Sequence, residues 1–75
     1  MTRSKKIRNI ISSIKKKRPT REEIRSFAST LIEIMAESGI PPKIRRELYQ
    51  YSQEPSYSPD RLIGFAENTL LTIEK

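Results

Sequence analysis

The sequence predicts an all-α fold with four helices. Apolar residues recur every three or four positions, glycine and proline fall between the periodic segments, and no segment alternates apolar and polar residues as a half-buried strand does. We predict a small antiparallel three-helix body at about residues 21–38, 42–52 and 59–74. A basic amphipathic helix at about residues 4–17 precedes it. The short connections favour antiparallel packing of neighbouring helices.

The first predicted helix is basic and has one narrow apolar stripe. Ile7, Ile10, Ile11 and Ile14 form this isoleucine stripe, at the i, i+3, i+4 and i+7 spacing of a single helix face. Pro19 disfavours helical geometry at the residue before it and ends the segment. The pattern leaves open whether this helix packs on the other three through its isoleucines.

The second predicted helix has a clear start and a clear end. Thr20 and Glu23 have the spacing of a capping box, in which each side chain accepts a hydrogen bond from the backbone of the other residue. Gly39 is expected to adopt a left-handed conformation that ends the helix. The residues expected to be buried on this helix are Ile24, Phe27, Ala28, Leu31, Ile34 and Met35, with Ile32 at the edge.

Prolines open the last two helices. Pro41 and Pro42 begin the third and Pro59 begins the fourth, because proline is tolerated in the first helical turn. Residues 52–57 between these helices have turn composition and are predicted as a loop. Leu71 is expected to lie opposite the buried face. The residues expected to face inward are Ile44, Leu48 and Tyr51 on the third helix and Leu62, Phe65, Ala66, Thr69, Leu70 and Ile73 on the fourth.

Composition excludes several classes of site. The 75 residues hold one domain at most, with a basic N-terminal arm at residues 1–19 and a small helical bundle at residues 20–75. The chain has no cysteine and no histidine, so disulfides, thiolate ligands and the commonest general base are missing. Its two glycines cannot form a glycine-rich phosphate loop. We therefore predict that the protein is not an enzyme and uses no small-molecule substrate, cofactor or metal.

Hydrophobic segments are short throughout the chain. None has the length of a transmembrane helix or of a signal-peptide core, so we expect a cytoplasmic protein without membrane contacts. A basic amphipathic helix can also lie on an anionic membrane surface. Here the isoleucine stripe offers no tryptophan or phenylalanine anchor, which favours packing against protein.

Positive charge is concentrated at the N-terminus. Residues 1–21 contain nine Lys or Arg and no acidic residue, although the net charge of the whole chain is only +6. A polyanion, most often a nucleic acid, is the expected partner of such a segment. These N-terminal cations are the candidate phosphate-binding residues: Arg3, Lys5, Lys6, Arg8, Lys15, Lys16, Lys17, Arg18 and Arg21.

A second, smaller candidate site lies on the third helix. Lys43, Arg45 and Arg46 accompany Tyr49, and both arginines and the tyrosine are expected to point away from the buried face. An exposed aromatic ring beside guanidinium groups can stack on an unpaired base. In the alternative interpretation, Tyr49 covers the edge of the core and the arginines are ordinary surface residues. Tyr57 in the predicted loop has the same two interpretations.

The middle of the chain contains three features in order. A helix ends, a turn with two prolines follows, and a new helix begins with paired arginines. They comprise Gly39, Ile40, Pro41, Pro42, Lys43, Ile44, Arg45 and Arg46. Residues Leu31 to Leu48, about a quarter of the chain, resemble a stretch of an uncharacterised archaeal family of small helical proteins. The likeness lacks that family's alanine-rich third helix, and it is hard to extend beyond Tyr57. It implies an all-helical fold and an archaeal setting, and no activity.

The same stretch is similar to a DNA-binding helix-turn-helix, in which a glycine turn joins two helices and the second enters the major groove. The usual pattern has a small residue four positions before the glycine and a β-branched residue six positions after it. Met35 and Arg45 hold those positions here, while Ala36 and Ile44 are each displaced by one. The displaced pattern weakens this hypothesis.

We predict a small basic RNA-binding protein. A ribosomal or ribosome-associated component, whose arm contacts rRNA phosphates, is the most economical specific case, because folded rRNA presents a dense phosphate field. Its partners are then RNA and neighbouring proteins of a ribonucleoprotein. The alternative is a helical protein-interaction module that forms a homo- or hetero-oligomer through the isoleucine stripe and Leu71. A DNA-binding helix-turn-helix-like protein is the third hypothesis.

Overall fold

Four helices are present in the computed structural model, which describes residues 2–54 and 58–74. They are α1 (Arg3–Lys16), α2 (Arg21–Glu37), α3 (Pro42–Ser52) and α4 (Pro59–Glu74), and the described residues contain no strand. The predicted all-α class is confirmed, and each predicted helix end lies within one residue of the observed end. Part of the predicted loop, including Tyr57, lies outside the described residues.

Contacts between helix ends show how consecutive helices run. The guanidinium group of Arg3, at the start of α1, donates a hydrogen bond to Ser38 Oγ just after α2 (3.4 Å). Arg21 Nη2, at the start of α2, donates to the carbonyl oxygen of Glu54 just after α3 (3.3 Å). α1 and α2 are therefore antiparallel, and so are α2 and α3. The main helix contacts are those of α1 with α4 and of α2 with α3, and α2 also touches α4 and α1.

All four helices contribute to one hydrophobic core. From α1, Ile7, Ile10 and Ile14 are buried and Ile11 is half-buried. The question that the sequence left open is thereby answered, because α1 packs through its isoleucine stripe. Residues 1–19, predicted as an arm, thus supply side chains to the same core as residues 20–75.

Most residues predicted to face inward are buried or half-buried. Ile44 departs from this pattern, since 39% of its surface is exposed. It borders an open cleft between α3 and α4, lined also by Glu47 and Thr72, so only part of its side chain is covered. Leu71 is 66% exposed, as predicted for the side of α4 opposite the core.

Both ends of α2 have the local structures that the sequence predicts. Thr20 Oγ1 accepts a hydrogen bond from the Glu23 backbone N–H (3.2 Å), and the Glu23 carboxylate accepts one from the Thr20 N–H (3.0 Å). At the other end Gly39 has a φ of +75°. The Ile40 N–H donates to the Met35 carbonyl (2.9 Å), which closes a Schellman motif.

The capping box also changes the acidity of Glu23. The backbone N–H of Thr20 donates to the carboxylate and lowers the pKa of Glu23 below its ordinary value of 4.5. The hydrogen bond with the Thr20 side chain lowers the pKa further, and the positive charge of Lys17 adds a smaller effect in the same direction. Lys17, the C-cap residue of α1, therefore lies close to the first turn of α2.

Candidate nucleic-acid interface

The burial of the isoleucine stripe decides which way the charges of α1 point. An amphipathic helix that packs through one apolar stripe has a fixed rotation about its own axis. The remaining surface of α1 is turned to solvent, and every one of the nine N-terminal cations is exposed. The charges are thus presented by a docked helix and by the short link that follows it.

Three of the N-terminal cations have partners within the chain. Arg3 Nε lies 3.3 Å from Glu37 Oε2, and Arg8 forms an ion pair with Glu74. Arg21 donates to the carbonyl oxygen of Glu54, as described above. The exposed pairs hold α1 against the ends of α2 and α4. Exposed ion pairs are weak, at about 0–1 kcal/mol, so a phosphate can compete for these arginines.

The other six N-terminal cations take part in no ion pair with any residue that the structure describes. Four of them are consecutive and are called here the basic end of α1: Lys15, Lys16, Lys17 and Arg18. Cations at this position are favoured, because the C-terminal end of a helix carries partial negative charge.

The basic end of α1 lies next to the start of α4. Lys15 and Arg18 line an open cleft together with Ser58, Asp60 and Ile63. Pro19 is buried directly after the basic end, which fixes the course of the chain there. The cleft thus has two cations and one carboxylate at its rim, and phosphate oxygens can approach it from solvent.

On α3, the exposure of the candidate site residues agrees only in part with the prediction from the sequence. Tyr49 is 57% exposed, and Lys43 and Arg46 are exposed. Arg45 is half-buried, and its Nε is shielded from water without a hydrogen-bond partner among the described residues. The prediction that Arg45 points away from the buried face is therefore wrong. Its place three residues before the buried Leu48 puts it at the edge of that face.

The structure does not bring the two candidate sites together. α1 packs mainly on α4, whereas α3 packs mainly on α2. No described hydrogen bond or ion pair joins an N-terminal cation to Lys43, Arg46 or Tyr49. Arg3 and Arg21 are the N-terminal cations bonded next to α3, to Ser38 before its start and to Glu54 after its end.

Tyr51 of α3 is buried as predicted and contacts α4 and the residue before it. Its hydroxyl donates to the Ser58 carbonyl, and its ring centre lies 6.0 Å from that of Phe65. The Arg61 guanidinium carbon lies 5.4 Å from the same ring centre, within the range of a cation–π interaction. This arginine is thus held over the ring at the surface of α4.

Sequence reasoning missed the partners of Arg3 and Arg8. Their carboxylates come from the far ends of α2 and α4. Local spacing gives no signal for such pairs, because they depend on which helices become neighbours. Only the excess of acid in the later part of the chain points to partners of this kind.

Comparison of the chain with protein-family models, with curated proteins and with solved structures finds no match. Within the described ranges, no helix is both long enough and apolar enough to cross a membrane. The same residues contain no group of three or more acidic, histidine or cysteine side chains placed to hold a metal ion. Charge and geometry are therefore the features that bear on function.

Proposed function

We propose that the protein is a small basic RNA-binding protein whose α1 and basic end contact the phosphate backbone. The observation that carries this proposal is that the isoleucine stripe of α1 is buried while all nine N-terminal cations are exposed. Cations on a docked helix are already ordered, so binding loses less conformational entropy than it would with a free tail.

The length of α1 suits a phosphate array. Lys5 and Lys15 are ten residues apart, which corresponds to about 15 Å along a helix. A nucleic-acid duplex presents about nine phosphates over that distance. Lysines supply compact point charges, while Arg18 can form two parallel hydrogen bonds with one phosphate. This mixture favours contact with the backbone over reading of a base sequence.

The side chains of α3 favour RNA over duplex DNA as the proposed partner of this protein. A helix-turn-helix protein needs the second helix of the pair to present polar side chains to base edges. Arg45, in the first half of α3, is half-buried, and the exposed ring of Tyr49 is better suited to stacking on an unpaired base. Folded rRNA offers both unpaired bases and dense phosphates, so we place the protein in a cytoplasmic ribosomal or ribosome-associated particle.

A salt titration tests the proposal. The affinity of the full chain for a structured RNA is measured by fluorescence anisotropy between 50 and 200 mM salt. Engagement of about five phosphates predicts a slope of about −4 for log K against log salt, with a loss of several hundredfold over this range. Absence of binding at 50 mM salt, or a slope near zero, would rule the proposal out.

Competition separates RNA from DNA. A hairpin RNA with an unpaired loop and a duplex DNA of equal length compete for the protein at equal salt. The proposal predicts that the hairpin RNA wins. Preference for the duplex, lost in Arg46→Ala, would support the helix-turn-helix hypothesis instead.

Protein interaction is the second candidate function, and the exposure of Leu71 favours it. Because the isoleucine stripe is buried within the chain, such an interaction would use α4 and not the apolar face of α1. Light scattering tests it in the absence of nucleic acid. A protein that oligomerises but never binds RNA would favour this function over the first.

A further inference from the structure

The arginines and the lysines of α1 differ in their partners. Both arginines of α1 face a carboxylate, since Arg3 pairs with Glu37 and Arg8 with Glu74. The lysines of α1 form no ion pair with any residue that the structure describes. Arg3 and Arg8 are therefore the cations of this helix for which an anion within the chain can compete with phosphate.

Both carboxylates lie where a helix disfavours negative charge. Glu37 is the last residue of α2 and Glu74 is the last residue of α4. The C-terminal end of a helix carries partial negative charge, so a carboxylate there is unfavourable and a cation is favourable. Within the described residues, the last turns of α2 and α4 contain no basic residue. The cation that each of these helix ends lacks is thus supplied by an arginine of α1.

A phosphate can reach both arginines from solvent. The side chains of Arg3 and Arg8 are 49% and 59% exposed. Arg3 Nε lies 3.3 Å from Glu37 Oε2, and Arg3 Nη1 donates to Ser38 Oγ at 3.4 Å. The fork of N–H groups on a guanidinium matches carboxylate and phosphate oxygens equally well in shape. The two anions therefore compete for the same donors.

The two ion pairs are not the main attachment of α1. Ile7, Ile10 and Ile14 are buried in the core, whereas exposed ion pairs contribute little to stability. Loss of the pairs should therefore leave α1 docked. Their larger effect is on the two arginines themselves, which are occupied by carboxylates in the free protein.

We propose that Glu37 and Glu74 are intramolecular competitors of RNA, each holding in the free protein an arginine that otherwise binds a phosphate. This inference rests on the proposed function, because it describes how the same phosphate-binding surface is restrained. The unpaired lysines and the basic end of α1 bind phosphates without this competition. Arg3 and Arg8 contribute only where a phosphate displaces a carboxylate, so the two pairs keep the affinity for RNA below its limit.

The competition has a signature in the dependence of binding on salt. A phosphate that binds an unpaired cation releases counterions to solution. A phosphate that displaces Glu37 from Arg3 leaves a free carboxylate, which attracts a cation again, so the net release is smaller. Without the two carboxylates, two further phosphate contacts should make the slope of log K against log salt steeper by up to about 2.

A double variant, Glu37→Gln with Glu74→Gln, tests the competition by fluorescence anisotropy with a structured RNA between 50 and 200 mM salt. We expect binding at 0.1 M salt to be about tenfold tighter than that of the natural chain, since one exposed ion pair corresponds to up to about fivefold. The control is Glu33→Gln with Glu67→Gln. These exposed residues lie one turn before Glu37 on α2 and two turns before Glu74 on α4, and neither forms an ion pair with a described residue.

The control changes the net charge by the same amount, so it measures the general effect of charge. We expect it to gain less than about threefold, because salt screens exposed charges beyond about 10 Å. Equal gains in the two double variants would overturn the proposal. Weaker binding of the Glu37→Gln, Glu74→Gln protein would also overturn it, because the pairs would then orient α1 for RNA. Both results leave the proposed function intact, which fails only if the natural chain does not bind RNA or binds it without salt dependence.

Nuclear magnetic resonance of the natural chain tests the exchange without any substitution. The Nε–H signals of Arg3 and Arg8 report on the acceptor beside each guanidinium, and Arg3 Nε is the atom that lies next to Glu37. We expect both signals to shift when structured RNA is added at low salt, as phosphate replaces carboxylate. Signals that stay in place while the RNA is bound would show that the arginines keep their carboxylate partners, and the proposal would be wrong.

Discussion

α1 and α3 are both short, basic and amphipathic, but their cations have different environments. α1 buries three isoleucines, and all of its cations are exposed. α3 buries Leu48 and Tyr51, leaves Ile44 partly exposed and draws Arg45 toward the core. The comparison shows that the width and position of the apolar stripe decide which cations are available to a ligand. A narrow stripe frees the rest of the helix surface.

The two helices also offer different chemistry. α1 provides many charges and no aromatic ring, whereas α3 provides the exposed Tyr49 ring and two exposed cations, Lys43 and Arg46. Phosphates are attracted by charge at any orientation, but a base stacks only on an accessible flat surface. If both helices bind one RNA, α1 should supply most of the salt-dependent affinity and α3 a preference for unpaired bases.

The largest expected effect concerns the docking of α1. Ile7 is fully buried, so Ile7→Ala should lower the free energy of unfolding by about 2–5 kcal/mol, the usual loss for a large core side chain. A domain of this size has a total stability of roughly 4–11 kcal/mol, so the variant is close to unfolding. Ile44→Ala on α3 should cost less, because 39% of Ile44 is already exposed.

Urea denaturation of both variants checks this difference. A loss for Ile7→Ala of less than about 0.5 kcal/mol, the usual effect at an exposed position, would mean that α1 is not docked on the core. The presentation of the N-terminal cations by a docked helix would then be wrong.

The second prediction concerns charge on α1 compared with charge on α3. Changing all four residues of the basic end of α1 to Gln should remove up to four phosphate contacts. The slope of log K against log salt should then become less steep by about 3, and the affinity at 0.1 M salt should decrease by on the order of a hundredfold. The control is the pair of changes Lys43→Gln and Arg46→Gln, for which we expect a smaller loss. Similar losses per charge in the two variants would make α3 an equal part of the phosphate site.

The third prediction concerns the aromatic ring. Tyr49→Ala should weaken binding to RNA with an unpaired loop by about 1–3 kcal/mol, the usual contribution of one stacked base. Binding to fully paired RNA should not change, since a paired base cannot reach the ring. Gln50→Ala, at the neighbouring exposed position, is the control. A Tyr49→Ala variant that melts at a lower temperature but binds both RNAs normally would show that the ring only covers the core.

Helix ends could be predicted from the sequence because their signals are local. Thr20 and Glu23 form the predicted capping box, and Gly39 takes the predicted left-handed conformation. Each of these structures depends on backbone groups within about five residues, so no knowledge of the packing is needed. The boundaries of all four helices follow from such signals together with the apolar period.

The candidate site could be predicted less completely, because it depends on which helices become neighbours. The exposure of the N-terminal cations agrees with the prediction, but the ion pair of Arg8 with Glu74 joins opposite ends of the chain. The partial burial of Arg45 depends on how far the contacts of α3 with the hydrophobic core extend toward the start of that helix.

The smallest expected effect is the pH-dependent stabilisation of the start of α2, directly after the basic end of α1. It is best compared with the start of α3. Thr20 and Glu23 cap α2, whereas Pro41 gives α3 no side-chain cap. The lowered pKa of Glu23 means that its carboxylate is bound more tightly when charged. The stabilisation is therefore complete above the unfolded pKa, near 4.5, and is lost as the pH falls through the lower pKa of the folded protein.

Melting temperatures of the natural chain and of Glu23→Gln between pH 7 and pH 2.5 check this prediction. The natural chain should melt at the higher temperature at pH 7, and the difference should shrink as the Glu23 carboxylate takes up its proton below pH 4.5. Glu47→Gln on α3 makes the same chemical change outside any capping box, so it should not reproduce this pattern. A difference for Glu23→Gln that stays constant down to pH 2.5 would show that the charge of Glu23 does not stabilise the turn after α1, and that neutral hydrogen bonds to Thr20 are sufficient there.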